Sequence, residues 1–157
     1  MTSDDERWVS QAVALATANV ADGGGPFGAI VVRDGVVIGA GQNRVTRDND
    51  PTAHAEIQAI RAACLTIEDF SLAGATVYTS CEPCPMCLAA CLWARVDRVV
   101  YAADRADAAH AGFDDSAFYD LLGSDPDTWS MPVRRHRIPS ASAPMEAWLA
   151  RPNRIEY

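Results

Sequence analysis

No run in this sequence approaches the ~20 apolar residues that a helix needs to cross a bilayer. The opening residues, MTSDDERWVSQA, are acidic and amphipathic and lack the basic segment of a secretory signal. There are no internal repeats and no linker long enough to divide the 157 residues. One domain is therefore expected, large enough to bury a core without staples. Basic residues are scarce: 13 Lys and Arg stand against 21 Asp and Glu, for a formal net charge of −8. A chain that gripped nucleic acid by its phosphates would carry a basic face. The one dense basic run, Arg134-Arg135-His136-Arg137, is explained as well by alternation between two sheet faces. Charge thus favours a small, uncharged or weakly charged substrate, with neither nucleic acid nor membrane as partner. A disulfide framework is also not expected, because the five cysteines are odd in number and clustered at metal-like spacing. A reducing, cytoplasmic setting fits that usage.

Ser3-Asp4-Asp5-Glu6 reads as a capping box ahead of a helix with Trp8, Val9, Ala12, Val13, Leu15, Ala16 and Val20 on one stripe. Gly23-Gly24-Gly25 stops it. Phe27 to Val32 and Val36 to Ala40 read as a hairpin turning at Arg33-Asp34-Gly35. Residues 42–51 look loop-like, and a second helix begins at Thr52. A strand over Ala75 to Thr79, a helix over Pro83 to Ala94 and a strand over Arg98 to Ala103 follow. Val133 to Ile138 is expected as a fifth strand and Met145 to Ala150 as a short last helix. An initial hairpin followed by alternating elements implies an α/β fold: a three-layer α/β/α sandwich on a five-stranded mixed sheet, for the most part parallel.

Four of the five cysteines fall in CEPCPMCLAAC, Cys81 to Cys91. Alone, C-x2-C-x2-C-x3-C is the spacing of a bacterial ferredoxin loop. Against that, Leu92 stands where the signature has proline, no second cysteine set exists, and residues 88–94 look like a helix core. The telling partner lies thirty residues upstream, in His54-Ala55-Glu56. With Pro83-Cys84-Pro85-Met86-Cys87 it completes H-x-E…P-C-x-x-C, a zinc-deaminase signature. Cysteines three apart in a first helical turn share a face, and the positive helix start favours their thiolates. His54, Cys84 and Cys87 make three ligands, which leaves the fourth tetrahedral position of one zinc ion open to water. A lone histidine at a helix start is more often a cap, and a lone CxxC more often a redox pair. Glu56 separates the cases: a structural knot needs no carboxylate beside its histidine, whereas a hydrolase needs a proton carrier beside its activated water. Cys91 lies about 6 Å along the helix axis from Cys87. Cys64, Cys81 and Cys91 are read as small buried hydrophobes.

These residues resemble the cytidine deaminase-like superfamily of zinc-dependent nucleoside and nucleobase deaminases. From about Gly25 to Tyr157 the remainder looks closest to its bacterial guanine deaminases. The likeness runs through GGPFGAIVV, GQNRVTRDNDPTAHAEIQAIRAAC, VYTSCEPCPMCLAACLWAR, YAADRADAAHAGFDDSAFY and the terminal EY. The zinc motif marks only the superfamily, while AGFDDS and the last tyrosine point to guanine.

The resemblance implies hydrolysis of guanine to xanthine and ammonia, with Glu56 shuttling a proton from the activated water to the substrate. Phe27 and Trp93 would pack on the purine, Asn43 would hydrogen-bond its edge, and Ala55 would also line the site. Phe113 and Asp115 would come from the AGFDDS loop. An acidic residue suits guanine because the ring N1–H and the 2-amino group are both donors, and it would also assist proton transfer. Asp114 is the alternative to its neighbour. The resemblance further implies a homodimer in which the C-terminal segment, about 140–157, packs on the partner subunit, and Tyr157 closes the site there. The competing readings are guanosine, cytosine or tRNA adenosine deamination and, in a different class, a non-catalytic zinc-stabilised binding module.

Overall fold

The computed structural model describes residues 3–157. The expected Ser3 cap turns on a side chain outside the described part. Helix α1 (Ser3–Ala21) is followed by a hairpin, β1 (Gly28–Arg33) and β2 (Val36–Gln42). Asp34 and Gly35, both at positive φ, make its turn. A four-residue helix, α2 (Val45–Asp48), occupies the stretch expected as loop. Then come α3 (Ala55–Ile67), β3 (Thr76–Cys81), α4 (Pro85–Trp93), β4 (Arg98–Ala103) and α5 (Arg105–His110).

The sheet has four strands in the order β2-β1-β3-β4, not the five expected. It is mixed, but β1 runs antiparallel to both β2 and β3, and only β3 and β4 are parallel. Residues 133–138 form no strand. The reason lies in their composition. On a strand, one face would carry Val133, Arg135 and Arg137, and the other Arg134, His136 and Ile138. Neither face offers an apolar surface to bury, and Val133 and Ile138 stay exposed.

Alternate residues of the sheet feed two cores. Ala29, Val31 and Val77 pack with Ala55, Ala59 and Ala63 of α3 and Cys91 of α4. Ile30, Val32 and Tyr78 pack with Trp8 of α1 on the opposite face. Alanine on α3 lets the helix lie almost on the strands, and glycine lets the strands accept it. A Cβ at Gly41 would stand 2.3 Å from the Ala55 carbonyl oxygen. That approach seats the first turn of α3, and with it the residue just before, His54.

Helix α1 is also tied polarly. Its Asp5 is buried and accepts from the Tyr78 hydroxyl at 2.8 Å and from Arg98 at 2.7 and 3.1 Å. A buried carboxylate is tolerated because it is paired on both sides.

The chain divides into two compact units, one ending at Ser116 and the other from Ala117 to Tyr157. The second holds most of α6 (Ser116–Leu122), a 3-10 turn capped by Asp125, and α7 (Ala143–Leu149), close to the expected last helix. Within it, the Trp129 indole donates to the Ser124 hydroxyl at 2.9 Å and the Ser142 hydroxyl to Glu146 at 2.6 Å.

A candidate metal centre between two helix starts

His54 and Cys84 occupy equivalent places, each the extended residue at the N-cap of its helix, α3 and α4. Local sequence sets both. Ahead of His54, the Asp50 carboxylate takes the Thr52 N–H at 2.8 Å and its hydroxyl at 2.7 Å, and Arg44 N–H donates to the Ala53 carbonyl at 2.9 Å. After Cys84, Pro85 at the first helical position has no N–H to lose and a φ already suited to a helix. Cys87 follows in the same turn.

The two helix starts converge as the spacing predicts. His54 Nδ1 lies 3.5 Å from Cys84 Sγ and 3.5 Å from Cys87 Sγ. The three donor atoms all fall within 4.8 Å of one another. Tetrahedral zinc with Zn–S near 2.3 Å and Zn–N near 2.0 Å would put nitrogen and sulfur about 3.5 Å apart. The residues present therefore fit zinc.

Without the ion, the three side chains share protons among themselves, and only Cys84 is poised as a thiolate. The Cys84 thiol is lowered to about 4, first by the hydrogen bond from Cys87, and Cys87 is raised by the same bond. His54 is raised, first by its bond to Cys84. Glu56 is 6 % exposed, with Oε2 3.4 Å from Cys87 Sγ and Oε1 3.4 Å from the Thr79 hydroxyl that donates to it. Burial raises its carboxyl above the ordinary range. A carboxyl of raised pKa thus stands against Cys87, one of the three candidate ligands.

Asn43 is buried in the segment that leads from β2 to His54. Its N–H donates to the Phe27 carbonyl at 3.0 Å, and its Oδ1 accepts from Val45 N–H at 3.3 Å. Phe27 meets Phe113 edge to face, with ring centroids 5.0 Å apart. Ala55 is fully buried, its methyl in the core.

The two aspartates of the AGFDDS loop separate. Asp114 folds back on Ser116, accepting from its N–H at 3.0 Å and its hydroxyl at 2.5 Å, and is lowered by these bonds. Asp115 is raised, first by burial and next by the negative charge of Cys84, and its own charge helps to raise His54. Of the two, it is the one whose charge is coupled to Cys84 and His54. Trp93 does not join this group. It ends α4 about 9 Å along the axis from Cys87, exposed, with the Arg95 guanidinium 5.8 Å from its ring. Tyr157, in the second unit, is 72 % exposed.

Three contributors were not read from the sequence. Thr79 orients Glu56. Asn19 is fully buried and donates to the Gly25 and Asn43 carbonyls, both at 2.8 Å, so it ties the end of α1 to the segments before β1 and after β2. Its place just before three glycines was the available signal. The third is Glu82, which lies between Cys81 and Pro83 and pairs with Arg105. Cys81 and Cys91 are buried and Cys64 partly so, all three free thiols.

A sequence profile of the cytidine and deoxycytidylate deaminase zinc-binding region matches residues 2–103. The guanine deaminase of Bacillus subtilis is 47 % identical over 153 residues, covering 97 % of this chain and 98 % of that one. Its X-ray structure superposes with a TM-score of 0.95 over 100 % of this chain and 99 % of its own. A guanine deaminase from Nitrosomonas europaea follows at 34 % identity and TM-score 0.66, over 78 % of this chain and 67 % of that one. The tRNA-specific adenosine deaminase of Aquifex aeolicus is 35 % identical over 121 residues, 77 % of this chain and 73 % of its own. The chain belongs to the cytidine and deoxycytidylate deaminase family of zinc-binding enzymes, and within it shares nearly its whole length with a bacterial guanine deaminase.

Proposed function

We propose that this protein hydrolyses guanine to xanthine and ammonia, with Glu56 carrying the proton. The observation that bears most weight is the buried Glu56 carboxylate packed against Cys87. A metal knot has no use for it, and a water-activating site depends on it. Guanine as substrate is supported by likeness to a guanine deaminase that continues past residue 103 through the AGFDDS loop to the C-terminus.

His54, Cys84 and Cys87 would hold one zinc per subunit, leaving its fourth position open. Bound there, zinc supplies a Lewis acid that makes water acidic near neutral pH. Glu56 takes a proton from the attacking water at its carboxylate and returns it to the departing amino group. Phe27 and Phe113 form an apolar wall for the flat ring, Ala55 could meet it only through its backbone, and Asn43 holds its polar edge. Asp115 accepts from the purine's donors and aids proton transfer, while Asp114 keeps the loop folded.

The same reading makes the chain one deaminase domain that works as a homodimer in the cytoplasm, its segment from about 140 to 157 exchanged with the partner. Tyr157 would then close the partner's site. Trp93 faces outward next to exposed Leu92, so it would meet a purine only across a subunit boundary. The formal net charge of −8 supports a free base as substrate over tRNA.

Ammonia release from the purified protein offered guanine, guanosine, cytosine and adenine in parallel is the test. Release from guanine alone is expected. Release from guanosine or adenine instead would overturn the roles given to Asp115 and Tyr157.

A further inference from the structure

The CEPC run contains a charged side chain that neither metal binding nor proton transfer uses. Glu82 stands between buried Cys81 and the loop that delivers Cys84. Its carboxylate faces Arg105, the first residue of α5. Arg105 Nε donates to both carboxylate oxygens at 3.1 Å, Nη2 donates to Oε1, and the Arg105 backbone N–H donates to Oε2 at 3.1 Å. The main chain repeats the join. Glu82 N–H donates to the Ala103 carbonyl at 2.8 Å, and the Cys81 thiol to the Asp104 carbonyl at 3.5 Å.

From Arg105 the chain runs through one short, closed helix. Asp104 and Asp107 cap its start reciprocally. At its end, Phe113 N–H returns to the Ala108 carbonyl at 2.9 Å across Gly112, whose φ of +92° suits glycine. Such a helix moves as a unit. A rotation at Arg105 is carried along the helix, about 9 Å, into the turn that leads to Phe113 and Asp115. Four donor contacts on one carboxylate fix direction as well as distance, which an exposed single-point ion pair does not.

We propose that the Glu82–Arg105 pair is a positioning device that registers α5, and through it Phe113 and Asp115, against the loop holding Cys84. Its substrate consequence rests on the guanine reading; the registration itself does not.

The test compares the zinc-loaded wild type with Glu82→Gln, Arg105→Lys and the double variant. KM for guanine is expected to rise about tenfold in each single variant, with kcat falling by less than KM rises. Zinc should stay at one per chain. Because the residues act as one unit, the double variant should cost no more than the worse single. Hydrogen exchange should quicken over residues 105–116 and stay unchanged over 85–93. Unchanged KM and exchange, loss of zinc, or additive effects in the double variant would each overturn the proposal. A wild type that leaves guanine untouched would sink the guanine reading alone, and the exchange comparison would then decide the registration.

Discussion

Glu56 holds its Oε2 3.4 Å from the sulfur of Cys87, so the proposed proton carrier and a candidate metal ligand touch across two different helices. Glu56→Gln keeps the shape of the side chain and removes the base. Turnover should fall by at least about a hundredfold. Zinc should remain at one per chain, measured by elemental analysis on the same sample. A variant that keeps most of its activity would show that the carboxylate is structural.

With its thiol near 4, Cys84 is a thiolate at pH 6 once the metal is stripped by a chelator. Mass-mapped alkylation at that pH should then mark Cys84 first. Bound zinc should block it. Burial raises Cys81 to about 11 and Cys91 to about 12, so both should remain unmarked in the folded protein. First labelling of Cys64 would contradict the assignment.

Arg105 lowers the Glu82 carboxyl below its ordinary value of 4.5. A carboxyl depressed on folding adds stability above its unfolded pKa and loses it as pH falls through the folded one. The gap in Tm between wild type and Glu82→Gln should therefore be fully present at pH 6 to 7 and shrink below pH 4.5. A gap that is constant with pH would mean the carboxylate's charge plays no part.

Asp115→Asn should cut kcat/KM for guanine by about tenfold to a hundredfold, the scale of losing a charge-assisted contact to substrate. Asp114→Asn retains an oxygen for Ser116 and should stay within about threefold of wild type. The reverse order, in parallel steady-state assays, would exchange the two roles.

Gly41→Ala places a methyl in the path of the Ala55 carbonyl. Overpacking of this kind costs about 1–3 kcal/mol. Because it displaces the start of α3, zinc affinity should fall together with Tm. Calorimetry and a competitive zinc titration on one preparation would read both.

The metal centre was legible in the sequence because its geometry is local. His54 and Glu56 flank one helix start, and Cys84 and Cys87 flank another, so each pair is held together by a few residues of local chain. What remained was that the two starts meet, and the signature supplied it. The fifth strand failed because residues 133–138 were read for alternation when neither face is apolar enough to bury. Glu82 and Arg105 lie 23 residues apart on different elements, a pairing that no periodicity announces. Asp114 and Asp115 are chemically identical neighbours, and only the backbone turn at Ser116 tells them apart. Asn19 lies in the last turn of α1, and one of its two carbonyl partners, Asn43, comes from a segment brought near only by folding.

The closest approach of α3 to β2, at Gly39 and Gly41, is made mainly of backbone atoms, with little side chain that a neighbour could repack around. Drift there cannot be compensated locally, so evolution or a designer has little freedom in the residues that place His54. The loop from Arg105 to Ser116 is held differently, by an ion pair, a cap and an aromatic contact, each replaceable one side chain at a time. New substrate preferences would therefore be sought in that loop, with the chemistry of the metal centre inherited unchanged.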